Sequence, residues 1–151
     1  MHTLVRKYIK TAIGFLAIGL TIGGWMIIRR ELWQRTPTPY EVSAHTHAIF
    51  VGFVMMMILG VALWLFPRPE KDDQRYRPAV AEAAYWILTT GTATRIGGEL
   101  LRQISAALWL RIAVMTSGLL QIVGIALFFF TMWSRIRAVG SRVREAQGER
   151  F

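Results

Sequence analysis

The fold is decided by residues 42–66, which read VSAHTHAIFVGFVMMMILGVALWLF. Apart from one serine, one threonine and two histidines, every residue of this run is apolar or glycine. A helix rises 1.5 Å per residue, so about 20 such residues cross the hydrocarbon core of a bilayer. Prolines at positions 37, 39, 67 and 69 flank the run, where they do not interrupt a helix. The run therefore predicts a transmembrane helix.

Three further apolar runs lie at residues 11–28, 79–96 and 112–133. The run at 79–96 contains four threonines and is the least apolar of them. Backbone groups inside a bilayer must be hydrogen-bonded within their own segment, which at this length only a helix achieves. The pattern predicts an all-α, integral membrane four-helix bundle that forms a single domain over residues 1–151, with the lipid bilayer around it.

Composition supports a membrane protein over a soluble one. Hydrophobic residues make up 54% of the chain, more than a small soluble core can bury, yet the net charge is +9. The charge pattern argues against a nucleic-acid-binding protein, because the basic residues lie between the apolar runs and form no stripe. The chain has no cysteine, which excludes disulfides, iron–sulfur clusters and covalently attached c-type haem.

The distribution of basic residues predicts the orientation. Twelve of the 18 lysines and arginines fall in the N-terminal segment, the 67–78 loop and the C-terminal tail. The positive-inside rule places that side in the cytoplasm. We expect a multi-pass protein of the cytoplasmic (inner) membrane with both termini cytoplasmic. The 29–41 loop and a loop with a short amphipathic piece at residues 97–110 would then face outward.

His45 and His47 lie one to two turns inside the outer end of the second run. Polar side chains at this depth are costly and usually functional, and imidazoles are the natural metal or haem ligands of a chain without cysteine. Residues i and i+2 of a helix point about 200° apart, so the two rings cannot grip one ion from one face. One possible arrangement gives each haem one axial histidine from each of two helices. The alternative is an interfacial histidine pair that is hydrogen-bonded to a loop.

A haem beside these helices needs room and cations for its propionates. Small residues near the pair, which equally suit ordinary helix packing, are Gly14, Gly19, Gly23, Gly24, Ala44, Ala48, Gly52, Gly91, Ala93, Gly97 and Gly98. Arginine binds carboxylates in a bidentate manner. The outer side carries five arginines near the depth of the histidines, which we predict as propionate ligands or as lipid-phosphate ligands: Arg29, Arg30, Arg95, Arg102 and Arg111.

Ser43–Pro67 and, more weakly, Gly118–Arg135 resemble helices of haem–copper oxidase subunit I. The shared pattern is His-x-His near the outer end, an apolar stretch with glycine, and a proline at the inner end. In that family twelve helices form three four-helix units around a pseudo-threefold axis. The resemblance implies that this chain is one such unit and assembles as a homotrimer. It also implies that His45 of one subunit and His47 of its neighbour hold a b-type haem.

The chain departs from that family in its chemistry. It has no second set of histidines for copper and no equivalent of the family's His–Tyr pair, so no complete oxygen- or NO-reducing centre is visible and enzymatic activity is left open. Three hypotheses follow. The first is a haem b protein for electron transfer or redox sensing with an unidentified redox partner. The second is a haem-based sensor or carrier of NO, CO or O2 with one histidine per iron. The third is a haem-free structural or assembly protein.

Overall fold

Four helices form the chain in the computed structural model, which describes residues 3–67, 77–136 and 147–148. Within these ranges there is no strand, which confirms the predicted all-α class. The helices are α1 (Thr3–Trp33), α2 (Pro39–Leu65), α3 (Pro78–Leu101) and α4 (Leu108–Met132). A short 3-10 turn, Trp133–Arg135, continues α4. The predicted loop at 67–78 and the C-terminal tail lie largely outside the described residues.

Among the described residues, three helices are long and apolar enough to cross a membrane: α1, α2 and α4 with its terminal turn. This finding confirms a membrane-type protein for three of the four predicted spans. Helix α3 has 24 residues, or about 36 Å at 1.5 Å per residue, so it is nearly as long as α4, which has 25. Its threonines make it less apolar than the other three.

The helices are longer than the apolar runs that predicted them. α1 continues through the basic residues at both ends, because hydropathy marks only the part of a helix that suits lipid. α3 extends to Leu101 and α4 begins at Leu108. The loop between them is therefore residues 102–107, which is shorter than the predicted 97–110. Contacts that hydropathy cannot detect support this extra turn, since Glu99 is buried and Gly98 packs against Val114.

α2 begins with a complete capping box. The Thr38 side chain accepts a hydrogen bond from the backbone N–H of Glu41 at 3.2 Å, and the Glu41 carboxylate accepts one from the Thr38 N–H at 2.7 Å. Pro39 occupies the first turn, where its missing N–H costs no hydrogen bond. The same rule places Pro78 at the start of α3. These local signals set where both helices begin.

The middle of α2, His47–Met55, is a π-helix. A π turn is wider than an α turn, so buried positions here recur every four residues, at Ala44, Ala48, Gly52 and Met56. This spacing keeps small residues against α1. A β-carbon on Gly52 would lie 2.6 Å from the Phe15 β-carbon, which shows how closely the two backbones approach.

Neighbouring helices run antiparallel and meet at glycines. In the α1–α2 pair, Gly60 lies against Tyr8 near one end and Gly19 against Ala48 near the other. In the α3–α4 pair, Gly124 lies against Leu88, while Gly91 lies against Ser117 and Leu120, and Gly98 against Val114. Several glycines predicted near the haem thus serve helix packing, which was the alternative interpretation. Small residues of this kind let helices associate in a bilayer.

The bundle therefore has two distinct ends. At the terminal end, which carries the start of α1 and the end of α4, Lys7 forms an ion pair with Glu82. Tyr8 packs edge-on against Tyr85 and Phe128 next to it, with ring centroids 5.0 and 5.8 Å apart. At the histidine end, which carries His45 and His47, the helices are joined by polar side chains. The start of α1 and the end of α4 therefore lie at the same end of the bundle.

Arg135 joins α4 to α2 at the terminal end. It is only 5% exposed, and its guanidinium donates hydrogen bonds to the carbonyls of Pro67 at 2.7 Å, Phe66 at 3.2 Å and Leu63 at 3.3 Å. The last carbonyls of a helix lack partners within the helix and carry negative partial charge. Arg135 therefore caps the C-terminus of α2.

Candidate functional site

His45 lies against the backbone of α1. Its Nδ1–H donates a hydrogen bond to the Gly19 carbonyl at 2.9 Å. The ring occupies the space that a side chain at position 23 would take, because a β-carbon on Gly23 would lie 2.9 Å from His45 Cε1. The carbonyl of Gly19 and the missing side chain of Gly23 together form a seat for this ring.

A groove opens beside that seat. It has a volume of about 460 Å³ and is lined by Leu20, Gly23, Gly24, Met26, Ile27, Arg30, Pro37 and His45. The lining is mostly apolar, with His45 and the guanidinium-bearing Arg30 as its polar side chains. An apolar groove with one imidazole and one cation suits a flat apolar ligand that carries an anionic group.

His47 lies on the opposite side of α2, against α3. Its Nδ1–H donates to the carbonyl of Ser43 at 2.9 Å, one turn back in the same helix. Oε2 of Glu99 lies 3.4 Å from the same nitrogen. The Ser43 hydroxyl donates to Oε1 of Glu99 at 2.7 Å. The i, i+2 spacing thus places the two rings against different helices.

The hydrogen bonds define the tautomer of both rings. A backbone carbonyl only accepts hydrogen bonds, so Nδ1 of His45 and Nδ1 of His47 each carry the hydrogen. The Nε2 lone pair of each neutral ring is then available, and among the described residues neither Nε2 has a hydrogen-bond partner. Histidines that bind metals are usually oriented in this way, by a carbonyl or carboxylate at the other nitrogen.

The five arginines predicted as propionate ligands have different surroundings. Arg29 forms an ion pair with Glu41, and Arg95 Nε donates to Glu99 at 2.6 Å. Arg102 donates to the Tyr40 hydroxyl at 2.8 Å and lies over its ring at 5.2 Å.

The remaining two arginines face outward. Arg30 is 67% exposed, contacts Glu31 at 2.7 Å and lines the groove beside His45. Arg111 is exposed at the start of α4. Arg30 is therefore the predicted arginine whose position best suits a group in the groove.

Sequence reasoning missed Glu41 and Glu99 as members of the site. Each carboxylate is 2% exposed, and each pairs with a predicted arginine. Two local signals were available, namely the Thr38–Glu41 capping box and the i, i+4 spacing of Arg95 and Glu99. Neither signal indicates burial, which arises only from packing of the helices.

The described residues contain no cluster of three or more histidine, aspartate or glutamate side chains suited to a metal ion. Axial coordination of haem uses single histidine rings and not a cluster, so each of the two histidines could supply one axial ligand. The residues present thus fit haem by donor type, tautomer and the apolar groove beside His45.

Fold and site define an all-helical, membrane-type protein with two oriented histidines at one end of its bundle. The chain belongs to the family described as "Domain of unknown function (DUF8744)", which matches residues 4–137. Comparison with curated proteins and with solved structures gave no match. The resemblance to haem–copper oxidase subunit I stays a prediction.

Proposed function

We propose that this chain is a membrane b-type haem protein in which Nε2 of His45 and Nε2 of His47 are axial iron ligands. The observation that carries the proposal is the shared tautomer, because both rings donate Nδ1–H to a backbone carbonyl. This tautomer leaves the Nε2 lone pair of both rings free, which coordination of iron at Nε2 requires.

The haem is proposed to lie between subunits of a homotrimer, with His45 from one subunit and His47 from its neighbour. The two rings of one chain contact different helices, α1 and α3, so one chain cannot place both on the same iron. Arg30, at the edge of the His45 groove, is the proposed propionate ligand.

The proposed membrane arrangement has four spans. α3 packs antiparallel along α4 from Leu88 to Gly98, and α4 is itself long and apolar enough to cross. A helix packed along a spanning helix of the same length crosses with it. The excess of lysine and arginine at the terminal end favours a cytoplasmic location for that end, in the cytoplasmic membrane.

Electron transfer or redox sensing is the proposed activity. Iron with two histidine ligands has no open position for a substrate, so it exchanges electrons without binding one. The protein would pass single electrons to and from an unidentified redox partner at its outer side.

The first test is the absorbance spectrum of the purified protein, oxidised and reduced, for wild type and four variants. We expect wild type to show low-spin haem b at one haem per chain. His45→Ala and His47→Ala should each remove the low-spin spectrum. His45→Gly and His47→Gly should regain it when imidazole is added, because free imidazole replaces a lost ligand but does not repair a lost fold.

Thr46→Ala is the matched control. Thr46 lies between the two histidines, is exposed, and bonds only to the Val42 carbonyl of its own helix. Its spectrum should equal that of wild type. A colourless wild-type protein from haem-replete cells would contradict the proposal and favour the haem-free structural or assembly role.

The trimer is tested by complementation between subunits. Neither His45→Ala nor His47→Ala chains should form low-spin haem alone, but co-expression of both should restore it. In a mixed trimer one interface joins an intact His45 to an intact His47, so random mixing predicts about a quarter of the wild-type signal. No restoration, or a monomer by native mass spectrometry, would contradict an intersubunit site.

A gas-binding role is the second candidate, and one observation favours it. Each face of α2 offers a single ring, so a subunit acting alone provides one histidine per iron. Carbon monoxide decides between the two functions. A reduced spectrum that CO leaves unchanged supports electron transfer, whereas a shifted spectrum supports reversible binding of NO, CO or O2.

A further inference from the structure

The two histidines are oriented by chemically different groups. At Nδ1 of His45 the partner is a neutral carbonyl, that of Gly19. At Nδ1 of His47 the Ser43 carbonyl is joined by a carboxylate oxygen of Glu99 at 3.4 Å. The pair is therefore electrostatically unequal.

The Glu99 oxygen that faces His47 differs from the other oxygen of the same carboxylate. Oε2 of Glu99 is buried and makes no hydrogen bond within the described part of the chain. The other oxygen, Oε1, accepts hydrogen bonds from the Ser43 hydroxyl at 2.7 Å and from Arg95 Nε at 2.6 Å. These donors stabilise the ionised carboxylate and draw part of its charge toward Oε1.

We propose that Glu99 is a positioning residue that lowers the reduction potential of the haem through the His47 ring. This inference rests on the proposed function and deepens it. Negative charge beside Nδ1–H increases electron donation by the imidazole at Nε2, which stabilises ferric over ferrous iron. Glu99 is almost fully buried, so water screens its charge weakly, and the paired Arg95 cancels part of that charge at the ring.

Glu99→Gln tests this inference in the full-length protein with its own haem. The substitution keeps the shape of the side chain and removes its charge. We expect the midpoint potential, measured by spectroelectrochemical titration, to rise. Glu41→Gln is the matched control, because Glu41 is equally buried at the same end but pairs with Arg29 and, within the described residues, has no hydrogen bond or ion pair with either histidine. It should shift the potential much less.

Two further variants separate the local effect from a change in net charge. Glu99→Gln leaves Arg95 without its carboxylate partner, so Arg95→Gln/Glu99→Gln removes both charges, and the potential should still rise. Ser43→Ala removes one donor from Glu99, together with the neutral hydroxyl that lies 3.3 Å from His47 Nδ1, and leaves the Ser43 backbone carbonyl in place. More negative charge then remains at the ring, and the potential should fall below that of wild type.

The outcomes distinguish the two proposals. A wild-type protein without haem contradicts the proposed function. A haem protein whose potential is unchanged by Glu99→Gln, or shifted equally by Glu41→Gln, overturns only the role of Glu99. If Glu99→Gln fails to retain haem, Ser43→Ala decides, and a potential that does not fall overturns the inference.

Discussion

Gly23 shows at the scale of one residue why a helix position next to His45 must lack a side chain. The ring of His45 occupies the space of the missing β-carbon, and the Gly19 carbonyl one turn earlier holds its Nδ1. The adjacent Gly24 has no neighbour within 4 Å of the same position among the described residues. Gly23 and Gly24 therefore have different surroundings, although nothing in the sequence distinguishes them.

Gly23→Ala should displace the His45 ring, because its β-carbon would meet Cε1 at 2.9 Å. We expect loss of low-spin haem or a lower haem content per chain, measured by absorbance. Gly14→Ala is the control and should retain the wild-type spectrum, because Gly14 lies on the same helix, does not line the groove and has no neighbour within 4 Å of its missing β-carbon among the described residues. Alanine is favoured over glycine in a helix by about 0.5–1 kcal/mol, so the thermal stability of the control variant should equal or exceed that of wild type. Equal spectra for both variants would contradict the seat described for His45.

Helix ends are where tertiary contacts matter most at the scale of elements. α2 begins with a capping box that belongs to its own sequence, but it ends on carbonyls that are capped by Arg135 from the far end of the chain. The π-helix in its middle is another element-scale feature that hydropathy does not predict. It places His47 at its first position and adjusts the packing of small residues against α1.

Arg135→Ala should leave the final carbonyls of α2 buried without their donor. Loss of such a charged hydrogen-bond group costs about 1–3 kcal/mol, so the thermal midpoint in detergent should fall. Arg6→Ala is the control, because Arg6 is an exposed arginine at the same end of the bundle, and its midpoint should stay near that of wild type. A midpoint unchanged by Arg135→Ala would argue against the cap.

The whole molecule is an antiparallel bundle in which polar contacts concentrate at both ends. At the histidine end the buried carboxylates Glu41 and Glu99 pair with arginines of other turns. At the terminal end Lys7 pairs with Glu82. This distribution of polar contacts is consistent with a bundle whose middle lies in the lipid and whose two ends lie at the headgroups.

Membrane orientation can be measured because the natural chain has no cysteine. Thr36→Cys lies in the exposed loop at the histidine end, and Arg77→Cys lies exposed at the terminal end. In intact spheroplasts a membrane-impermeant maleimide should label Thr36→Cys only. Both should react after detergent treatment. Labelling of Arg77→Cys alone would reverse the proposed orientation, and labelling of both would contradict the predicted odd number of crossings between them.

The sequence by itself determined the helical class, the number of helices and the position of the two histidines near the start of the second helix. These features depend on local quantities, namely hydropathy over a helix length, proline positions and the 100° turn per residue. Even the direction of the two rings onto different helices followed from the i, i+2 spacing.

Only the tertiary structure decided what each polar residue does. Burial of Glu99 beside His47, the seat of His45 on Gly19 and Gly23, and the cap from Arg135 all join residues far apart in the chain. The physical reason is that the effect of a buried charge or of a missing side chain depends on which neighbouring helix packs against it. Local patterns predict which segments form helices, but not which faces of those helices meet.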